Sequence, residues 1–287
     1  MTRELDLATE PKRHPENMAG SAAASRDIAR NAAIHDRMVR RYRAIHVEIY
    51  NDREQARLAA AVAAAKAAIK SGSRPLRALD FGSGLGNVVN HLVRAGMEVT
   101  AGDISHQCLD YVGRHFQGVE LAELNGRDLS NFADNSFDLC TTYSVLHHIP
   151  DYVSAVRELG RVTRPGGVVM IDHEQSENCW SADPVREEFR AKALRFDWRK
   201  YLRPANYYHK FLQLFDPRHA NEGDIHVWPD DHIEWVNIRK ALEDLGFEPV
   251  IEENYLLYRS LYRREVFDQY EGRIADTKLL IMRKAAA

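Results

Sequence analysis

Three histidines and a tyrosine stand where a proton could be taken from an acceptor. They are His147 in Leu146-His147-His148-Ile149, His173 in Asp172-His173-Glu174, His226 in Asp224-Ile225-His226-Val227-Trp228, and Tyr42, four residues before His46. Imidazole changes charge near neutral pH, which suits it to deprotonating a hydroxyl. His147 is open to that role or to a hydrogen-bonded structural one, and His148 reads as a residue that starts or packs the next helix. Tyr42 and His46 share a helix face and could look into one cleft, a spacing that half-buried helix residues also show. Asp172 and Glu174 flank His173 with hard oxygen ligands of the kind Mg²⁺ takes, although the fourth strand ends without a partner acid. Asp230-Asp231-His232 reads as an N-cap cluster rather than a ligand set.

A second group of residues could hold a small molecule. In Asp80-Phe81-Gly82-Ser83-Gly84-Leu85-Gly86 three glycines allow a tight turn with positive φ and bring amide N–H groups against a ligand. The acid two residues before the turn would repel a pyrophosphate and attract an ammonium group, which disfavours a nicotinamide dinucleotide and favours a cofactor bearing an amino acid. Asp103 follows at the distance where a carboxylate accepts from both hydroxyls of a ribose. The turn Asn125-Gly126-Arg127-Asp128-Leu129 offers one more carboxylate and an amide, suited to the amino group and ring nitrogen of adenine.

The elements that must position these groups alternate. Ile34, Met38, Tyr42, Ile45 and Ile49 recur at steps of three or four and predict an amphipathic helix over 25–49, with a second helix over 54–70. Strands are expected near 78–81, 98–101, 119–123, 137–142 and 168–171, with helices between them, a rhythm that signals a parallel sheet covered on both faces. In such sheets ligands sit at the carboxyl ends of the strands, where all the candidate acids fall. The rhythm breaks over 174–231, where Trp198, Tyr201, Tyr207, Tyr208, Phe211 and Phe215 crowd around Pro204; this is too long for a crossover and reads as an insertion. A helix over 232–245 and strands over 250–257 and 277–282 close the sheet. The chain thus divides into an arm (1–25), an N-terminal helical segment (26–72) and a main domain (73–287) that contains the insertion.

Composition narrows the partners. The net charge of −3 over 287 residues shows no basic stripe, so neither nucleic acid nor an anionic membrane is expected. Cys108, Cys140 and Cys179 are odd in number and lack metal-ligand spacing, which points to packed thiols in a reducing, cytoplasmic setting. The arm has no apolar core of the secretory kind, and the alanine-rich run 58–69 is too short to span a bilayer and reads as a surface helix.

Taken in order, Leu79-Asp80-Phe81-Gly82-Ser83-Gly84-Leu85-Gly86, Gly102-Asp103-Ile104-Ser105, Asp134-Asn135-Ser136-Phe137-Asp138-Leu139, Leu146-His147-His148-Ile149-Pro150-Asp151 and Arg164-Pro165-Gly166-Gly167 resemble the successive motifs of class I S-adenosylmethionine-dependent methyltransferases. The resemblance covers 76–171 strongly. It implies a Rossmann-like α/β fold, a seven-stranded, mostly parallel sheet with helices on both faces and the last strand antiparallel, with the N-terminal helices as a lid and the insertion after the fifth strand. It implies that S-adenosylmethionine is held by Asp80, Gly82, Ser83, Gly84 and Gly86 at its methionine part, by Asp103 at the ribose, and by Asp128 and the Leu129 amide at the adenine, with Ile104 and Tyr143 as further cofactor-binding residues. Many relatives place the adenine-contacting acid slightly earlier, where this chain has Gly126.

The same resemblance bears on the acceptor. Relatives that methylate amino groups of bases or amides carry Asn/Asp-Pro-Pro-aromatic after the fourth strand, where this chain has Thr141-Thr142-Tyr143-Ser144. His147 matches a histidine that some small-molecule methyltransferases use as a base, with His173 and Tyr42 as further candidates. The expected activity is methylation of a hydroxyl on a small molecule, a sugar or glycan intermediate being the suggested class, with Mg²⁺ as a further option. An N- or C-methyltransferase and a non-catalytic protein binding the same cofactor are the alternatives. The aromatic insertion suits stacking on a sugar or a homodimer interface.

Overall fold

The computed structural model describes residues 22–39, 46, 48–70, 75–194, 211 and 232–286. Seven strands form one sheet: β1 (Arg77–Phe81), β2 (Glu98–Asp103), β3 (Glu120–Glu123), β4 (Phe137–Tyr143), β5 (Thr163–Gln175), β6 (Phe247–Tyr255) and β7 (Thr277–Lys284). Their order is β3-β2-β1-β4-β5-β7-β6, and β7 alone runs against its neighbours. The order reverses between β1 and β4, so the crevice at a topological switch point opens above these two strands.

Among the described residues eight α-helices surround the sheet: α1 (Ala22–Met38), α2 (Asp52–Ala68), α3 (Asn87–Arg94), α4 (His106–His115), α5 (Tyr152–Val162), α6 (Pro184–Ala193), α7 (Trp235–Glu243) and α8 (Arg264–Tyr270). The two-residue period of a strand sends neighbouring side chains to opposite faces, and the packing follows it. Leu79, Cys140, Val169 and Ile171 join one core with Val156 and Leu159 of α5 and Ile238 and Leu242 of α7. Ala78, Leu139, Val168 and Met170 join the other with Leu58, Val62 and Ala65 of α2 and Val88 and Leu92 of α3. The alanine-rich helix expected at the surface therefore lies on the sheet by one face, its small side chains permitting close approach. No helix among the described residues is long and apolar enough to cross a membrane.

Several boundaries differ from the pattern in the sequence. The first helix spans Ala22–Met38, and a second starts after Asn51, whose side chain accepts from Glu54 N at 3.0 Å. Strand β5 runs four residues beyond its apolar stretch, through a bulge at Asp172 and His173 after which Glu174 and Gln175 pair with Lys278 and Thr277 of β7. The insertion thus starts at Ser176, with a 3₁₀ turn at Glu177–Trp180 and then α6. Helix α7 is shorter than its expected span. Tyr42, His226, Asp230, Asp231 and the aromatic run apart from Phe211 lie outside the described residues, and Phe211 is exposed.

Candidate active site

The turn after β1 holds Gly82, Gly84 and Gly86 at φ of 75°, 48° and 78°. A Cβ on Gly82 would fall 2.4 Å from Cγ2 of Val145, so only glycine lets this turn sit against the segment that leaves β4. Above it opens a cleft of about 310 Å³, lined among others by Ile49, Tyr50, Asp80, Ser83, Asn87 and Tyr143. The cleft is edged by polar atoms without protein partners among the described residues: Asp80 Oδ2, Ser83 Oγ and Asn87 Nδ2. Buried polar groups are nearly always bonded, so these three mark a place that a ligand with donors and acceptors completes.

Electrostatics gives the sign of that ligand. Asp80 is buried, and Thr141 Oγ1 donates to its Oδ1 at 2.9 Å. Burial, with the charge of Asp103 adding to it, pushes its carboxyl up to about 7. Asp103 is buried as well and is raised by that burial, against amide bonds from Ser105 (2.8 Å) and Gly84 (2.8 Å) that favour its ionised form. Two buried carboxylates, one of them with an unpartnered oxygen, call for a ligand that brings positive charge to Asp80 and hydroxyl donors to Asp103. An amino acid joined to a ribose meets both demands.

The adenine end is differently disposed. Asp128 is exposed, and its Oδ1 accepts from Asn125 Nδ2 (2.7 Å), Ser130 N (3.1 Å) and Ser130 Oγ (2.6 Å), closing its own loop. The Leu129 amide, expected at an adenine, donates instead to Glu158 Oε2 at 3.0 Å. Ile104 packs at the edge of the core, and its Cγ2 stands 3.4 Å from where a side chain on Gly126 would begin.

Beyond the cleft, Ser144 follows β4 with φ of 59° and leads into a single 3₁₀ turn, Leu146–His148. Glu174 holds this turn. Its Oε1 accepts from Val145 N and Leu146 N, both at 2.7 Å, and its Oε2 lies 2.8 Å from His147 Nδ1. A carboxylate only accepts, so Nδ1 of His147 is the donor and Nε2 of the neutral ring keeps its lone pair. His147 is 9% exposed and its ring stands 4.1 Å from that of His148.

His173 has φ of 61° and stacks on Tyr143 at 4.5 Å. Burial pulls its pKa down to about 4, which makes it a weak base for a hydroxyl. His46 Nδ1 lies 3.0 Å from Glu48 Oε1.

The acids weighed for Mg²⁺ do not fit a metal. Asp172 is committed to Arg57 Nη2 (2.8 Å), Tyr255 Oη (3.1 Å) and His173 N (2.8 Å), while Glu174 is committed to the 3₁₀ turn. Among the described residues no group of histidine, cysteine and acid side chains has ligand geometry. Arg57 also binds Glu54 at 2.6 Å, and Tyr143 Oη donates to Glu54 Oε1 at 2.8 Å. This buried network ties α2 to the ends of β4, β5 and β6 and fixes the ring that borders the cleft.

Sequence reasoning missed Ile49, Tyr50 and Asn87 as lining residues, and Glu174 as the partner of His147. Ile49 carries the helical period and so reads as a packing residue, and Tyr50 falls outside that period. The register that brings Glu174 to the turn depends on a bulge that no local pattern announces.

Residues 79–171 match the family described as a methyltransferase domain. Over 137 residues the chain is 28% identical to a ubiquinone biosynthesis O-methyltransferase of Alkalilimnicola ehrlichii, covering 45% of this chain and 56% of that protein. Over 102 residues it is 35% identical to a demethylmenaquinone methyltransferase of Staphylococcus aureus, covering 33% of this chain and 42% of that one. The chain spans about half the length of the curated relatives it matches. An S-adenosylmethionine-dependent methyltransferase of Mesorhizobium loti shares the fold, with a TM-score of 0.51 at 18% identity over 78% of this chain and 96% of that one.

Proposed function

Because residues 79–171 are a class I S-adenosylmethionine-dependent methyltransferase domain, we propose that the protein transfers the methyl group of S-adenosylmethionine to a hydroxyl of a small molecule. The observation that carries the hydroxyl reading is the contact of Glu174 with His147 beside the glycine turn. The bound cofactor supplies an electrophilic methyl group on a sulfonium. Asp80 Oδ2 and Ser83 Oγ would accept from its ammonium group, Asp103 from its ribose hydroxyls, and Tyr143 closes the wall next to the methionine part. His147 Nε2 takes the acceptor proton as its oxygen displaces the thioether. Glu174 holds the ring in the tautomer that can do so and stabilises the imidazolium that forms. The remaining task is alignment and exclusion of water, which the buried walls provide.

The proton balance also bears on the acceptor. Phenols ionise near 10, about 3.5 units above imidazole, a gap of about 5 kcal/mol that a hydrogen-bonded site can offset. An alkyl hydroxyl lies far higher. This reading therefore favours a phenolic or enolic acceptor over the sugar suggested by the aromatic insertion, and the names of the quinone-pathway relatives agree with it. The test is release of S-adenosylhomocysteine over phenols, catechols, sugars and amines, with and without a chelator, followed by mass and NMR analysis of the product. O-methylation of a phenol, unaffected by the chelator, is expected. Turnover confined to amines or to carbon acceptors sinks the hydroxyl reading, and O-methylation of sugars alone sinks the phenol preference.

A further inference from the structure

Helix α1 lies across the loops that follow β2, β3 and β4. One stripe of its surface, residues 25, 28, 35 and 36, meets three of the loops at the strand ends. Arg127 Nη2 donates to Ser25 Oγ at 2.6 Å. Ile28 covers Gly126, its Cγ2 lying 2.7 Å from where a Cβ there would begin, beside Ile104. The Asp36 Oδ1 atom accepts from Ser105 Oγ at 2.6 Å and from Gln107 N at 3.2 Å, so it caps α4 from outside. The His35 ring stands edge-on to His148 at 5.8 Å, and its charge favours the ionised form of Asp103.

A chain of hydrogen bonds links this helix to the glycine turn. Asp36 accepts from the Ser105 hydroxyl, the Ser105 amide donates to Asp103 Oδ1, and Asp103 Oδ2 accepts from Gly84 N. The open cleft lies over Asp80 and Tyr143, at the methionine end. The strand ends that would take the nucleoside are the ones α1 spans.

We propose that α1 is part of the ligand site: it walls the nucleoside half, with His35, which stands between Asp103 and His148, touching the bound ligand, and Asp36 as the positioning residue that seats it. This rests on the reading that the cleft takes an adenosyl ligand. The contact of His35 with His148 joins this wall to the 3₁₀ turn that carries His147.

The test uses the full chain and S-adenosylhomocysteine, which binds without turnover. Calorimetric titration compares wild type, His35→Ala, His35→Gln, Asp36→Asn and the double variant H35A/D36N. Loss of one such contact is worth about fivefold in affinity. His35→Ala is expected to weaken binding by about that factor, His35→Gln to recover part of it, and Asp36→Asn to weaken it similarly although it touches no ligand. The double variant should be no weaker than the worse single one, since Asp36 acts through His35. Hydrogen exchange of 22–38 in the wild-type protein should slow on addition of the ligand. Wild-type-like affinity in all variants, or exchange of 22–38 indifferent to the ligand, overturns the proposal while leaving the adenosyl reading intact. Failure of the wild-type protein to bind overturns both.

Discussion

Glu174 Oε2 and His147 Nδ1 are 2.8 Å apart although they belong to different strand ends, and the same carboxylate grips the two amides that precede the histidine. Backbone and imidazole are thus set by one group. Replacing His147 by alanine should leave S-adenosylhomocysteine affinity unchanged and lower kcat by about 10²–10⁴, the usual worth of a general base. Glu174→Gln, which retains the shape, should lower kcat by about tenfold and displace the pH–rate profile, because an amide does not stabilise imidazolium as a carboxylate does. Steady-state kinetics beside calorimetric binding separates the two effects. Unchanged turnover in His147→Ala removes it as the base.

Asp80 gives a pH dependence whose sign can be worked out. Burial holds its folded value near 7, above the ordinary 3.8, so the folded protein binds more protons than the unfolded one between these limits. Stability of the empty protein therefore falls as pH rises from about 4 to about 7 and is level above that. A cationic ligand needs the ionised carboxylate, so affinity moves the opposite way. One unit below this value the carboxylate is about one-tenth ionised, so S-adenosylhomocysteine should bind about tenfold more weakly at pH 6 than at pH 7.5. Asp80→Asn should bind weakly at every pH, and titration calorimetry across this range checks both. The buried Asp103 carboxyl is raised too and adds in the same direction.

Two glycines with the same φ of 75° predict opposite outcomes. At Gly82 a Cβ collides with Val145, whereas at Gly96 it meets nothing. Gly96→Ala should cost about 1–2 kcal/mol of left-handed strain and leave ligand binding intact. Gly82→Ala should shift the turn and reduce S-adenosylhomocysteine affinity by more than about tenfold, since its amides and the His147 turn move together. Urea denaturation with calorimetry distinguishes strain from a lost site.

Arg57 is the single cation between Glu54 and Asp172 in the described network, and it also lies 4.0 Å from the centre of the Tyr255 ring. Its removal leaves two buried carboxylates facing each other. Arg57→Ala should destabilise the protein by about 3–5 kcal/mol in urea unfolding, and Arg57→Lys should fall short of rescue because one ammonium does not span both acids. A loss below about 1 kcal/mol would mean the pair is solvated.

Much of the scaffold was legible because its signals are local. The glycine turn, the apolar strands and the acids at the ends of β1 and β2 are written in contiguous residues, and Ser105 and Asp151 cap α4 and α5 as their side chains suggest. What escaped depends on register across the sheet. Glu174 looked like a metal ligand next to Asp172, but the bulge at His173 turns the two carboxylates to separate tasks. At Asp128 three hydrogen bonds within its own loop converge on Oδ1, a closure that its place in the sequence does not announce. The continuous amphipathic period over 25–49 hid the break at Met38, because a hydrophobic stripe does not record where a helix stops.

Strand β7 lies between β5 and β6. During synthesis β6 emerges first and finds no partner, since the strand that joins it to the sheet is made after α8. Until then β5 and β6 both offer unpaired amide edges, and Val250 stays exposed on β6 even afterwards. The nascent chain thus passes through a stage in which the half that carries the glycine turn can be folded while its other half is open to pairing with a neighbour, the period when chaperone capture matters most.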